Sequence, residues 1–366
     1  MNPTIKNISI EEDRYHFTLA GINVSLANSL RRVILSEIPI TSIFTETYND
    51  NNCNIEINTS RLHNEIIKQR LSCIPVHIEN LDVLPGNYLL EVDVLNETDS
   101  ILLITTEQFK IKNKANGNYL TKEETKRIFP PCSKTNMYID FARLRPGCGN
   151  IIGEHLKLTA EFSVHTAGEN SMFNVVSTCS YGNTIDNTKV NEVWGEYENK
   201  LRSENTTDED IKLHKKNFYI LDAQRHYIND SFDFSIQSIG IYSNKEIIKK
   251  GCQIIIGKLE NFITMIDSDI VPIKQSETTM EHSFDVILEN EDYTLGKIIE
   301  YCLYSKYYNG EGTLAYCGFK KFHPHDTESV IRASFKKAGD KNLLRTYLYS
   351  CCNDLKDIYQ KIHKMF

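Results

Sequence analysis

The sequence predicts an α+β fold of two related folding units, the first interrupted by a β-rich inserted domain. Three observations carry this. Two separated segments repeat one order: strand, amphipathic helix, further strands, long seamed helix. The two long helices share one apolar spacing of four, three, four, three, four, through Ile248, Cys252, Ile255, Leu259, Phe262 and Ile266 and through Leu344, Leu348, Cys351, Leu355, Ile358 and Ile362. Between residues 76 and about 180, four short apolar runs (NYLLEVDVL, SILLITT, MYIDFARL and LKLTAEFSV) are separated by turn residues, the pattern of a β-rich segment.

Each element follows in order. Residues 4–19 alternate loosely around a polar turn at Glu11, Glu12 and Asp13, which predicts one or two strands. Over residues 23–37, Leu26, Ala27, Leu30, Val33 and Ile34 fall on one side of a helix that Asn23 or Ser25 can cap and Pro39 ends. On that wheel Arg31 stands at the flank of the buried stripe and Arg32 nearly opposite it, so one face packs while the other presents two adjacent guanidinium groups.

Strands are expected over 41–48 and 54–58, then a short helix over 62–73 with Leu62, Ile66, Ile67, Leu71 and Ile74 inward and Pro75 ending it. The tract 186–216 is polar around the single Trp194 and predicts exposed helices or loop, with strand character returning at 218–221 and 231–238. A helix over 244–266 carries the first seam, and 267–278, with Pro272 inside, reads as a linker. The order then restarts. A strand at 282–289 precedes a helix over 292–304 with Leu295, Ile298, Ile299, Cys302 and Leu303 on one face. Strands at 313–317 and 329–335 and a helix from Asp340 onward complete the chain.

A seam without a cover exposes large aliphatic side chains at about 1.5–3 kcal/mol each. Two matching seams therefore bury each other, or else each packs on its own sheet.

The chemistry of the remaining residues is narrow. Forty-one Lys and Arg against 49 Asp and Glu leave a net charge of −8, with a pI near 5.8, the wrong balance for gripping phosphate backbones as a main task. The first residues lack the basic start and apolar run of a secretory signal, and no stretch has the roughly 18 apolar residues of a membrane span. Ten scattered cysteines include no Cys-x-x-Cys pair and read as small buried apolar residues in a reducing compartment. His323, His325 and Asp326 lack a further ligand at metal spacing, and Asp267 and Asp269 fall in the linker. There is no Gly-x-Ser-x-Gly and no phosphate-cradling glycine loop. Neither catalysis nor a cofactor is expected.

Two pairs of segments carry a family likeness. NSLRRVILSEIP (28–39) with NEIIKQRLSCIPV (64–76) resembles the paired signature of the larger α-like subunit of multisubunit DNA-dependent RNA polymerases, through Glu65, Arg70, Ile74 and Pro75. EDYTLGKIIEYCL (291–303) with LAYCGFKKFHPHDTESVIRASF (314–335) resembles the smaller α-like partner, through Asp292, Thr294, Leu295, Gly296, Gly318, His323, Pro324 and Arg332. ARLRPGCGNIIGEHLKLTAEF (142–162) is similar to a glycine-containing turn and strand of the larger partner's inserted domain. Asn64, Tyr293 and Lys297 depart from the usual choices. Residues 110–134 hold only Cys132, so the cysteine-rich metal loop of some members is absent, and Phe173-Asn174-Val175-Val176 replaces an aromatic-Ser-Pro-Val element. Both partners on one chain resemble the fused subunit of large nucleocytoplasmic DNA viruses.

The resemblance implies a non-catalytic assembly platform for an RNA polymerase, located in the virion and host cytoplasm if viral and in the nucleus if cellular. The first α-like dimerisation domain would be 1–75 plus 216–266, interrupted by a β-rich domain over 76–215; the second would be 279–366. They would form an intramolecular pseudo-dimer. Its interface would use Leu26, Leu30, Val33 and Ile34 with Leu295, Ile298, Ile299 and Cys302, together with Ile248, Cys252, Ile255, Leu259 and Phe262 and Leu344, Leu348, Cys351, Leu355 and Ile358. Arg31, Arg32, Glu65 and Arg70 would dock the second-largest polymerase subunit. The largest subunit and small zinc-bearing subunits are further implied partners, with DNA reached only through the complex and no membrane. Two other classes stand beside this one. A stand-alone dimeric DNA-binding regulator requires duplex binding with steep salt dependence. A metal- or thiol-dependent hydrolase requires an activity lost on chelation or alkylation.

Overall fold

The computed structural model describes residues 1–46, 51–277 and 280–366. Tyr48, at the end of the strand expected over 41–48, lies outside the described residues, as do Thr278 and Thr279 at the expected junction of linker and second unit.

Strands β1 (Thr4–Glu11) and β2 (Arg14–Ala20) form a hairpin. Its turn residues Glu12 and Asp13 take φ of 47° and 69°, the left-handed pair whose twist suits a tight antiparallel turn. Helix α1 (Val24–Ser36) starts where Asn23 Oδ1 accepts the Ser25 N–H at 2.9 Å. The middle of the chain holds β3 (Ile40–Ser42), β4 (Cys53–Asn58), α2 (Asn64–Ser72), β5 (Tyr88–Leu95), β6 (Leu102–Thr105), β7 (Lys110–Asn113), α3 (Lys122–Ile128), β8 (Asp140–Leu144), β9 (His155–Glu161) and β10 (Ser163–His165). It continues with β11 (Val176–Ile185), α4 (Asn187–Ser203), α5 (Asp208–Ile220), β12 (Tyr227–Ser238) and α6 (Asn244–Asp267). The last part comprises β13 (Ile273–Gln275), β14 (Ser283–Glu289), α7 (Tyr293–Leu303), β15 (Leu314–Lys320), β16 (Glu328–Phe335) and α8 (Lys341–Met365).

The chain divides into two compact units. Unit 1 comprises Met1–Val33, Thr178–Gln237 and Ile248–Phe366; unit 2 comprises Ile34–Ser177 and Ser238–Ile247. Residues 178–215, grouped by sequence with the β-rich middle, fall in unit 1.

Unit 1 contains two four-stranded sheets, ordered β1-β2-β12-β11 and β13-β14-β16-β15. Every strand pair with a recorded register in them is antiparallel, the arrangement in which apolar side chains alternate toward one face. In the first sheet Phe17 and Phe234 stack at 5.1 Å between ring centres. Helices α4 and α5 form a hairpin with its own small core of Val190, Trp194, Leu201, Ile211 and Phe218. Unit 2 contains the sheet β4-β9-β5-β7 and the two-stranded sheets β6-β8 and β10-β3. One core cluster runs through it, from Ile43 and Ile67 to Leu158 and Phe162.

Four expectations are corrected. Residues 218–221 are not a strand: α5, capped by the Thr207 hydroxyl, runs to Ile220, and Phe218 packs its ring 5.5 Å from that of Trp194. A run of large apolar residues fits either element, and here packing against Trp194 decides. Among the described residues of the strand expected over 41–48, the strand is limited to β3, where Ile40–Ser42 pair with β10. The linker contains β13, which adds an edge strand to β14. Ile66, placed on the buried side of the short helix, is exposed, whereas Ile67, Leu71 and Ile74 are buried. A helix of nine residues offers only a narrow inward stripe.

Candidate docking surface

On α1, the predicted stripe is buried: Leu26, Leu30, Val33 and Ile34 are at most 1% exposed. Arg32, on the opposite side, does not end in solvent. Its Nη2 donates to Asp292 Oδ2 at 2.5 Å and its Nε to Thr294 Oγ1 at 2.9 Å. Asp292 also caps α7, its Oδ1 accepting the Thr294 N–H at 2.7 Å. One carboxylate thus ends a helix dipole and anchors a second helix. Burial works against the Asp292 carboxylate, but the Thr294 N–H and hydroxyl and the Arg32 charge outweigh it and hold the group below the usual carboxylate range.

Arg31 is held differently. Both Nε and Nη2 donate to Asn28 Oδ1, at 3.0 and 2.9 Å. A neutral acceptor leaves the guanidinium charge uncompensated there, so of the two arginines Arg31 is the one suited to meeting a carboxylate from outside.

The Thr-Leu-Gly signature has a packing cause. A Cβ added at Gly296 would lie 2.0 Å from the nearest ring atom of Phe319. Glycine inside a helix costs about 1 kcal/mol relative to alanine, and here it lets the ring of β15 lie against α7. Tyr293 closes on the same ring, edge to face at 5.1 Å. His323 and Asp326 belong to a local turn, the Asp326 carboxylate accepting the His323 N–H at 2.9 Å. Among the described residues no group of three or more His, Cys, Asp or Glu side chains is placed to hold a metal.

In unit 2, the Glu65 side chain is 89% exposed and lies 3.9 Å from His63. Arg70 turns inward along the chain's own backbone, Nε donating to Phe141 O at 2.7 Å and Nη2 to Asp140 O at 2.6 Å. It ties α2 to β8. Of the four residues assigned to docking, then, Arg32 and Arg70 make strong hydrogen bonds inside the chain, whereas among the described residues Arg31 hydrogen-bonds only to Asn28, and Glu65 is open.

The seams are buried throughout, from Ile248 to Ile266 and from Leu344 to Ile362, with no seam residue above 7% exposure. Polar contacts flank them in unit 1. Gln253 meets His363 at 3.2 Å, Glu260 meets Lys356 at 3.6 Å, and Asp269, just past α6, pairs with Arg345. Residue numbers rise on one helix as they fall on the other, so α6 and α8 run antiparallel. Cys302, assigned to the same apolar interface, is only part-buried, with its thiol 3.8 Å from the Cys351 carbonyl.

Sequence reasoning missed several fastening residues. Tyr359, fully buried, donates its hydroxyl to Leu26 O at 3.1 Å, from α8 to α1. Lys258 on α6 reaches Glu291 at 3.1 Å, one residue before the α7 cap. Arg332 and Asp285, directly opposite each other on β16 and β14, form a two-pronged pair at 2.6 and 2.7 Å. The signal for Tyr359 was its place beside Ile358 and Ile362 on the seamed face. The acid pair Glu291-Asp292 at a helix start was the signal for the Lys258 anchor, whereas the resemblance named Arg332 with nothing to mark Asp285 as its partner.

The fold and site therefore describe a mixed α/β protein whose best-placed polar groups fasten helices and strands to one another. The chain belongs to the RNA polymerase Rpb3/Rpb11 dimerisation domain family, whose model matches residues 16–259. It is 42% identical over 77 residues to a protein of Arabidopsis thaliana named DNA-directed RNA polymerases IV and V subunit 3B, covering 21% of this chain and 22% of the relative. It is 38% identical over 82 residues to DNA-directed RNA polymerase II subunit RPB3 of Schizosaccharomyces pombe, covering 22% of this chain and 25% of the relative. It is 23% identical over 290 residues to DNA-directed RNA polymerase subunit Rpo3 of Methanosphaera stadtmanae, covering 72% of this chain and 99% of the relative. The first two matches thus span a quarter or less of those proteins. Among the described residues no helix is long and apolar enough to cross a membrane.

Proposed function

We propose that the chain is a non-catalytic assembly subunit of a DNA-directed RNA polymerase. In this reading the segments built around α1 with α6 and around α7 with α8 are the two α-like halves of an intramolecular pseudo-dimer, and β3 to β10 with α2 and α3 form the inserted domain. The observation that carries it is the bond from Arg32 to Asp292, because it joins the double-arginine helix of one half to the capping acid of the other. The Tyr359 to Leu26 bond and the antiparallel contacts of α6 and α8 support it further. Joining the halves on one chain replaces an encounter between molecules with one at an effective concentration on the order of millimolar.

The platform's partners in this reading are the largest and second-largest catalytic subunits and small zinc-bearing subunits, with DNA reached through the complex. Arg31 and Glu65 meet the second-largest subunit, while Arg32 and Arg70 position the helices that carry them. In this reading the one-chain arrangement favours a viral polymerase, in the virion and host cytoplasm, with the nucleus as the location if the polymerase is cellular. Co-expression with the two large subunits tests the reading. Arg31→Glu is expected to prevent recovery of the second-largest subunit while leaving the melting temperature unchanged. Full recovery with that variant overturns the docking role, and failure of the unmodified chain to enter any such complex overturns the function.

A further inference from the structure

We propose that unit 2 carries a docking groove for an extended peptide segment of another protein, one in which an acidic residue neighbours an aromatic or large aliphatic residue. The groove has a volume of about 400 Å³ and is lined by the approach to α2, by Arg70 on α2 and by β8. That volume lies near the low end of the roughly 300–1,000 Å³ of ligand sites. Leu62, half-buried, and Ile101, with 62% of its surface exposed, supply the accessible apolar surface at the lip, above a floor of the buried Phe141 and Ala142.

The charges around the floor are unequal. Four guanidinium groups, those of Arg61, Arg70, Arg143 and Arg145, face two carboxylates, those of Asp140 and Glu154. Within this set, Arg145 is committed to Glu154, with Nε and Nη2 at 2.7 and 2.5 Å from Oε1, and Arg70 to the two backbone carbonyls already described. The other two are available. Arg61 makes no ion pair among the described residues, its charge acting on Glu154 only at longer range. Arg143, with a side chain 73% exposed, meets Asp140 only at 4.0 Å.

Two available guanidinium forks beside an apolar lip fit a carboxylate with a hydrophobic neighbour, since the planar fork matches a carboxylate and the lip loses water on contact. A nucleic-acid strand fits poorly. Single-strand grooves stack bases on exposed aromatic rings, whereas the aromatic ring on this floor, Phe141, is fully buried. All of these residues lie in unit 2, and the groove stands apart from the polymerase reading.

The test titrates the full chain with a fluorescent short peptide in which two aspartates flank a phenylalanine. Saturable binding is expected, with Kd raised about tenfold or more by Arg61→Glu combined with Arg143→Glu, and likewise by Ile101→Asp. Far-UV circular dichroism checks that the variants fold; if the charge reversals do not, Arg61→Gln with Arg143→Gln takes their place, with a smaller rise expected. Three results overturn the proposal: no saturation by the peptide, equal binding by the variants, or equal binding of a peptide with lysines in place of the aspartates. Stronger retention of a single-stranded oligonucleotide than of the peptide, lost in the arginine variants, also overturns it in favour of a nucleic-acid site. Because polymerase recovery is a separate readout, failure here leaves the function above standing.

Discussion

Arg32 and Asp292 lie 260 positions apart in sequence and 2.5 Å apart at their charged atoms. The arginine that a helical wheel directs outward from α1 is the one that fastens α1 to the start of α7. Their side chains are 34% and 36% exposed, so solvent screens the pair and its share of stability is modest.

For this pair a double-mutant cycle is the natural measurement. Arg32→Ala and Asp292→Ala are each expected to destabilise the chain by about 1 kcal/mol. The double variant should lose less than the sum. Strict additivity of the chemical-denaturation free energies is the result that shows the two side chains do not interact.

Acid should loosen the chain before it loosens most of its surface. The Arg332 fork and the Ser276 hydroxyl hold Asp285 below the usual carboxylate range. The Thr294 groups and Arg32 do the same for Asp292, and the Arg145 fork for Glu154, in both cases against burial. A carboxylate with a lowered folded pKa binds fewer protons folded than unfolded, so stability rises with pH through that window. The contribution is complete above about pH 5 and is lost as pH falls through the lower folded values. Melting temperatures recorded from neutral pH downward should drop below that point, and Asp285→Asn should flatten the drop. An unchanged profile in that variant contradicts the assignment.

Gly296→Ala separates helix propensity from packing. Propensity alone predicts a gain of about 1 kcal/mol. The 2.0 Å approach of Phe319 to the added carbon predicts instead a loss of about 1–3 kcal/mol through overpacking. Phe319→Leu in the same chain should recover part of it. A stabilised single variant contradicts the packing account.

Tyr359→Phe removes one hydroxyl from the buried contact with the Leu26 carbonyl and changes little else. The expected cost is about 1 kcal/mol, the net worth of one hydrogen bond, because the Leu26 carbonyl lies inside α1 and keeps the backbone N–H one turn on. Hydrogen exchange should then speed up across α1 and α8 together. Acceleration confined to α8 is the outcome that denies a link between the helices.

Much of this fold was legible in the chain. The four-and-three spacing from Ile248 to Ile266 and from Leu344 to Ile362 predicted long helices with buried seams, and each of those residues is buried. Asp340 was read as the start of the last helix and caps it. What escaped was whatever depends on a distant neighbour. A wheel places Arg32 by angle on its own helix and carries no sign of an acid 260 residues away. Phe218 and its neighbours satisfy the local pattern of a strand as well as that of a helix, and only contact with Trp194 decides. Ile66 and Ile67 are equally apolar, yet only Ile67 faces the core of unit 2. The four docking candidates were chosen by residue type and motif, and motif cannot tell which donors find acceptors within the chain.

The helical hairpin of α4 and α5 enters and leaves the first sheet through neighbouring strands, and its two ends meet where the Asp186 N–H donates to His226 O at 3.0 Å. Its apolar residues form a cluster of their own around Trp194. Such a segment is an appendage with a single narrow stem: it can be shortened, exchanged or replaced by a tight turn without re-registering the strands beside it. That makes it the natural place to graft a purification or fluorescence handle onto this chain.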